Sequence, residues 1–337
     1  MSDPSTPERL VFQGAVDGSA AVILPDGRII TAGDEYNRLH IYAPDAERPH
    51  ATVQLDAALD ARKNKEGEYR EADIEDATLV GHRAFWIGSH GRNRKGKRRP
   101  TRSRLFATDH PPQGPPRFVG YTDQLLDDML VADHWSPAAR NHVFFDRVIK
   151  WLIRAAAPGV KKAPALAPKA EGISIEALGA TPEGQLLVGL RNPTFDGKAL
   201  IVTLSNPEEA LFGQPCRFED LHLVPLGGRG LRSMDWDAHT RHHLLLAGPP
   251  GRTEDFKAAD GISPFALYRW QPGSAPTVLG PVPARTDCKP EAVAVDPRQR
   301  RALILEDQGT LRERLASTSA DGGASKRMFE GWWYPLG

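Results

Sequence analysis

Five times along this chain a charged or polar residue precedes a short run of small and apolar residues; a turn follows, and then a strongly apolar strand that ends in Gly or polar residues. The copies start near Asp17, Glu75, Glu176, Arg232 and Glu291. Short strands that recur at a spacing of tens of residues point to radial β architecture, in which each copy is one sheet that buries its faces only against its neighbours. In the first copy residues 20–24 form an apolar strand and Pro25-Asp26-Gly27 a tight turn, with Gly supplying the positive φ. Residues 28–32, 38–42 and 51–55 supply three more strands, which makes about forty residues per unit, the size of one propeller blade.

The second unit reads as strands over 74–80, 84–88, 103–108 and 117–121, and the third as 175–178, 185–190, 198–204 and 218–224. The fourth covers 231–234, 243–247, 265–270 and 277–279. The fifth has strands at 291–295, 302–305 and 327–334 and lacks a fourth, while residues 9–13 form a strand without a blade. Pairing the two closes the ring and removes two open edges. The expectation is an all-β propeller of five four-stranded blades in a single domain over 1–337. Residues 122–171 do not fit the repeat. Ser136 is a good N-cap, Pro137 suits the first turn, and Val143, Phe144, Val148, Trp151 and Leu152 recur at helical spacing until Pro158-Gly159. An Ala/Pro/Lys-rich linker follows over 161–169. This segment is read as a helical insertion between blades two and three, with a degenerate sixth blade as the alternative.

Composition bounds function only broadly. The 337 residues carry 43 basic and 43 acidic side chains, so global charge gives no ground for a nucleic-acid or membrane partner. Two cysteines, Cys216 and Cys288, exclude a disulfide scaffold and read as buried thiols. The N-terminus has no basic and apolar leader pattern, and no apolar run reaches the ~20 residues of a membrane span. The expected setting is the cytoplasm of a bacterium.

The first strand of a blade lines the central channel, and its start lies on the same face as the loop between strands two and three. That places Asp17, Ser19, Glu75, Asp76, Glu176, Arg232 and Glu291 beside the loops Gly33–Asn37, Ser89–Asn93, 190–193, 248–250 and 306–308. Clustered acids repel unless a cation or Arg neutralises them. Asp34, Glu75, Glu176 and Glu291 are therefore candidate ligands for Ca²⁺ or Mg²⁺, which prefer oxygen donors. The other reading pairs these acids with Arg92, Arg191 and Arg232. Arg92, Asn93, Lys95, Arg191, Asn192 and Arg232 are candidate ligand-binding residues, because guanidinium forks and amides suit phosphate or carboxylate groups. His90, in a Gly-flanked loop, and Glu176 are the candidate catalytic acid/base groups. The basic run over 92–104 contains no aromatic residues to stack nucleic-acid bases.

Three motifs together resemble a largely bacterial uncharacterised family, domain of unknown function 3616. They are Trp86-Ile87-Gly88-Ser89-His90-Gly91-Arg92-Asn93; Gly189-Leu190-Arg191-Asn192-Pro193 with Gly197-Lys198-Ala199-Leu200; and Leu226-Gly227-Gly228-Arg229-Gly230-Leu231 followed by Ala247-Gly248. The resemblance runs from about Ala15 to Trp333 and implies a propeller-like fold without an agreed activity. More remotely, Ile175-Glu176-Ala177-Leu178 and Ala32-Gly33-Asp34-Glu35 are similar to the strand start and acidic loop of esterase-like phytase propellers. That family's Gly after Glu is replaced here by Ala177, Ala292 and Asp76. These observations predict a channel-mouth site for an anionic small molecule, with metal-assisted ester or phosphoester hydrolysis as its chemistry. The rival is a non-catalytic scaffold or sensor that docks a protein partner, which exposed aromatics around Trp151, Trp332 and Trp333 would favour.

Overall fold

A computed structural model describes residues 8–15, 17–167, 171–282, 289–307 and 328–336. Its strands form five four-stranded antiparallel sheets. The first sheet holds β2 (Ala20–Ile23), β3 (Ile29–Ala32), β4 (Arg38–Tyr42) and β5 (Pro49–Gln54). The second holds β6 (Ile74–Val80), β7 (Arg83–Gly88), β8 (Leu105–Asp109) and β9 (Arg117–Thr122). The third holds β10 (Ser174–Ala180), β11 (Leu186–Asn192), β12 (Ala199–Leu204) and β13 (Phe218–Val224). The fourth holds β14 (Gly230–Asp237), β15 (His242–Gly248), β16 (Ala266–Trp270) and β17 (Thr277–Pro281). The fifth joins β18 (Lys289–Val295), β19 (Arg301–Asp307) and β20 (Met328–Pro335) to β1 (Glu8–Gln13), as the sequence predicts. The pairing of β1 with β20 is antiparallel, and it stacks Phe12 on Phe329 with ring centroids 5.0 Å apart. The expectations for Gln308, Arg327, Lys169 and Cys288 fall outside the described residues. Cys216 is buried, and burial pushes its thiol up to about 12.

Burial follows position in the blade. All seven residues of β10 are buried, whereas β5 alternates between half-buried and exposed positions. The innermost strands of successive blades touch one another around the ring. Hydrogen bonds pin them together. Asp76 of β6 accepts from the backbone N–H of Leu178 (2.7 Å) and of Met234 (3.1 Å) and from Ser233 Oγ (2.8 Å), tying three blades at one carboxyl. Ser233 Oγ in turn accepts from Val293 N–H at 2.9 Å, and Asp235 Oδ2 from Val295 N–H at 2.8 Å, which extends the chain to the fifth blade.

No sixth sheet is found among the described residues. The chain between the second and third sheets forms α1 (Leu125–Met129), α2 (Pro137–Arg140) and α3 (Phe145–Ala156). Ser136 Oγ caps α2 by accepting from Ala139 N–H at 3.1 Å. The helix expected over 143–157 begins at Phe145, so Val143 is left 81% exposed ahead of it. Phe145, Val148, Ile149 and Leu152 pack on blade three through Trp135, whose ring stacks on Phe218 at 4.8 Å. Ala157, left-handed at φ 43°, ends α3 just before Pro158-Gly159. Among the described residues no helix is long and apolar enough to cross a membrane.

Candidate functional site at the channel mouth

The charged residue that opens each repeat is an inserted residue. In β6 the partners are Ile74↔Gly88 and Asp76↔Ile87, so Glu75 has no cross-strand partner. The same register shift singles out Glu176 in β10, Arg232 in β14 and Glu291 in β18. A β-bulge breaks the two-residue alternation and re-aims the extra side chain. All four bulged side chains point into one cavity of about 610 Å³ at the channel mouth. The first blade has no such shift. There Ser19 lines the cavity and donates to Ile74 O, and Asp17 lies against Gly33. A Cβ on Gly33 would come within 1.7 Å of Asp17 Oδ1, which explains one of the glycines that end the second strands.

The cavity has two charge clusters. In the first, Glu176 Oε1 accepts from Arg191 Nη1 (2.9 Å) and from Ser174 Oγ (2.9 Å), while Oε2 accepts from Arg232 Nη1 (2.7 Å). Arg232 Nη1 also reaches Glu291 Oε2 at 2.6 Å. Arg191 is fixed from behind by Pro249 O (3.1 Å) and Gly251 O (3.2 Å). Burial pushes the Glu176 carboxyl up, but the charges of Arg191 and Arg232 override it and bring it down to about 2. In the second cluster Arg102 Nη1 lies 2.7 Å from Asp73 Oδ2, and Ser89 Oγ donates to the same oxygen. Burial outweighs Arg102 and Ser89 there and lifts Asp73 to about 7. Asp73 holds a left-handed backbone, φ 55°, which is uncommon for a residue with a side chain.

Glu75 stands between the clusters and has no hydrogen bond or ion pair among the described residues. It lines the cavity and is half-buried. Burial raises its carboxyl well above the usual range, and the negative charges of Glu176, Asp73, Asp34 and Glu291 raise it further. Two exposed guanidiniums, Arg94 and Arg252, complete the rim.

Of the sequence-predicted residues, the cavity brings together Asp17, Ser19, Asp34, Glu75, Glu176, Arg191, Arg232 and Glu291. Asp76 is sequestered beneath it as the inter-blade pin. Arg92 borders the cavity, but its guanidinium donates to Ala156 O, Ala157 O, Val160 O and Gly96 O at 2.9–3.2 Å and thereby closes the C-terminus of α3. His90 does not join the cluster. At φ 53° it turns into a separate cavity of about 210 Å³ beside the helical segment, and its Nδ1 lies 2.8 Å from Gly88 O. Burial lowers its imidazole to about 4, so it is neutral at pH 7. Asn93 folds its own loop by accepting from Lys95 N–H (3.0 Å) and Lys97 N–H (2.9 Å). Asn93 and Lys95 border an adjoining cleft, and Asn192 is buried, donating to Gly172 O at 2.8 Å. Sequence reasoning missed Asp73, Ser174 and Arg252 and did not single out Arg102. Among the described residues, no three His, Cys, Asp or Glu side chains are grouped closely enough to hold a metal ion.

Fold and site thus define a five-bladed β-propeller whose channel mouth is lined by bulged acidic and arginine side chains. Residues 153–277 match the family described as protein of unknown function (DUF3616). No curated protein matches the sequence. Solved structures similar to it include the glutaminyl cyclase of Myxococcus xanthus, at 10% identity and a TM-score of 0.45, covering 99% of this chain and 100% of that one. A putative gluconolactonase aligns at 11% identity and a TM-score of 0.40, covering 99% of this chain and 95% of that one. A putative oxidoreductase (glucose dehydrogenase) of Thermus thermophilus aligns at 11% identity and a TM-score of 0.42, covering 97% of this chain and 100% of that one.

Proposed function

We propose that the channel mouth binds a small anionic ligand and hydrolyses an ester bond in it, with Glu75 as the proton-transfer group. The observation that carries this reading is the raised Glu75 carboxyl, without a hydrogen bond or ion pair among the described residues, in a cavity lined by arginines. Arg94 and Arg252 draw the anion in. The Glu176–Arg191–Arg232–Glu291 array is fixed before any ligand arrives, so it offers oriented charge without reorganisation. A carboxyl raised above the ordinary Glu range holds its proton more firmly, and in the protonated form it can donate to a leaving alkoxide oxygen and regain the proton from the water that adds to the carbonyl carbon. One cycle consumes ester and water, yields acid and alcohol, and leaves Glu75 protonated as it began. The docking alternative has less support: Trp333 is buried, Trp332 half-buried, and Trp151 packs edge-on against Phe195 at 5.4 Å.

The test is turnover across a panel of carboxylate-bearing esters and lactones by wild type, Glu75→Gln and the Arg94→Ala/Arg252→Ala double variant. The expected result is loss of kcat in Glu75→Gln with KM kept, and a raised KM in the arginine variant. Wild-type kcat in Glu75→Gln would refute the role of that carboxyl. A Ca²⁺- or Mg²⁺-dependent rise in Tm that Glu75→Gln removes would favour a cation at the same carboxyl instead.

A further inference from the structure

The cavity at the channel mouth does not end at the channel. It opens into a cleft of about 950 Å³ between blades one and two, and the two share Asp34, Asp73, Arg94 and Arg102. The channel cavity alone is within the roughly 300–1,000 Å³ of a site for a drug-sized ligand. With the cleft attached, the space suits an elongated molecule. The chain has six tyrosines, and the two exposed ones, Tyr36 (50%) and Tyr69 (47%), both line this cleft. Each is braced by a cation: Arg38 lies 5.9 Å from the Tyr36 ring centroid and Lys63 Nζ 4.8 Å from that of Tyr69. About half of each ring is left to the solvent in the cleft, an exposure that the rest of the molecule does not repeat for tyrosine.

The chemistry of the cleft wall selects among elongated ligands. Gln54, Asp56, Glu68 and Glu71 stand on it beside the tyrosines, together with the bases Arg70, Lys95, Lys97 and Arg99. Carboxylates only accept hydrogen bonds and so suit hydroxyl donors, while the bases among them suit the acidic groups of an elongated anion. Aromatic faces suit the C–H faces of sugar rings. The channel in turn balances six arginines against six carboxylate residues, which suits a group with one negative charge better than a dianion. We infer that the ligand is an acidic oligosaccharide: a uronate unit sits in the channel mouth, and the following sugar units lie along the cleft over Tyr36 and Tyr69. This rests on the anion site proposed above and adds the ligand class and a second subsite to it.

The experiment is calorimetric titration of the full chain with glucuronate, with a tetrasaccharide that ends in glucuronate, and with AMP. The proteins are wild type, Tyr36→Ala/Tyr69→Ala and Arg94→Ala/Arg252→Ala, each with its Tm recorded. For wild type the tetrasaccharide is expected to bind at least about tenfold tighter than glucuronate, a ratio equivalent to about 1.4 kcal/mol. The tyrosine variant, at unchanged Tm, is expected to bind the tetrasaccharide no better than glucuronate and to keep its glucuronate affinity. The arginine variant is expected to weaken both. Equal affinity for glucuronate and the tetrasaccharide, or tetrasaccharide binding that ignores the tyrosines, overturns the cleft assignment and leaves the anion site standing. Tighter, tyrosine-dependent binding of AMP replaces the sugar with a nucleotide and overturns the assignment as well. Glucuronate binding that is absent, or indifferent to Arg94 and Arg252, overturns the anion site itself.

Discussion

Replacing Arg232 by Met tests the charge array directly, because the new side chain keeps an apolar stem and removes only the guanidinium. Arg232 is buried, and one nitrogen serves two carboxylates, Glu176 at 2.7 Å and Glu291 at 2.6 Å. Two unit charges with centres ~4 Å apart attract by about 4 kcal/mol at the effective dielectric of protein pairs. The substitution removes two such pairs and also relieves the desolvation of the guanidinium, so the net loss is about 3–5 kcal/mol, the usual result of leaving a buried carboxylate without its partner. Unfolding entropy near 2.1 cal/mol/K per residue gives roughly 0.7 kcal/mol/K for 337 residues, so a loss of ~4 kcal/mol lowers Tm by about 6 °C. The assay is thermal melting followed by circular dichroism for Arg232→Met, Glu176→Gln and the double variant. Glu176→Gln removes one of the stranded charges, so the double variant is expected to be less destabilised than the sum of the singles by about 1–3 kcal/mol. Single effects that add within about 0.5 kcal/mol, or an Arg232→Met Tm within a degree of wild type, would refute the array as drawn.

Three further outcomes follow from the same geometry. The raised carboxyl of Glu75 favours the folded state fully below the ordinary Glu value and ever less as pH rises toward its folded value; Glu75→Gln should therefore melt above wild type by a margin that grows with pH over that window, as melts at several pH values will show. Phe12→Ala removes the ring stacked on Phe329 and in contact with Tyr42, and should cost about 3–5 kcal/mol in urea unfolding; deletion of residues 1–14 should cost more, and an unchanged midpoint would contradict ring closure by β1. Arg92→Ala removes the guanidinium that bonds Ala156 O, Ala157 O and Val160 O at and just past the end of α3, so hydrogen exchange over 145–157 should accelerate while exchange in β10 and β14 stays slow.

The blades were legible because strand residues must alternate or be apolar, and the repeat sets five such patterns in register. The site was legible for the same reason. A charge that interrupts an apolar strand start needs somewhere to go, and at Glu75, Glu176, Arg232 and Glu291 the bulge supplies it. Residues in the connecting segments have no register to betray them. Asp73 precedes its strand on a left-handed backbone, and Arg102 comes from a basic run in which nothing local separates it from Arg98 or Arg99. His90 lies apart from the cavity, and Arg92 borders it with its guanidinium tied to backbone carbonyls, for a tertiary reason. The helical segment packs beside their loop, receives His90 and draws Arg92 to the open carbonyls of α3, neither of which a local pattern displays.

The most direct measurement is the titration of the Glu75 side-chain carboxyl, followed by ¹³C NMR and assigned by its absence in Glu75→Gln. The midpoint should lie well above the ~4.3 of an ordinary Glu and should move on addition of glucuronate. A midpoint in the ordinary range that ignores glucuronate would contradict the claim that this channel mouth is a site.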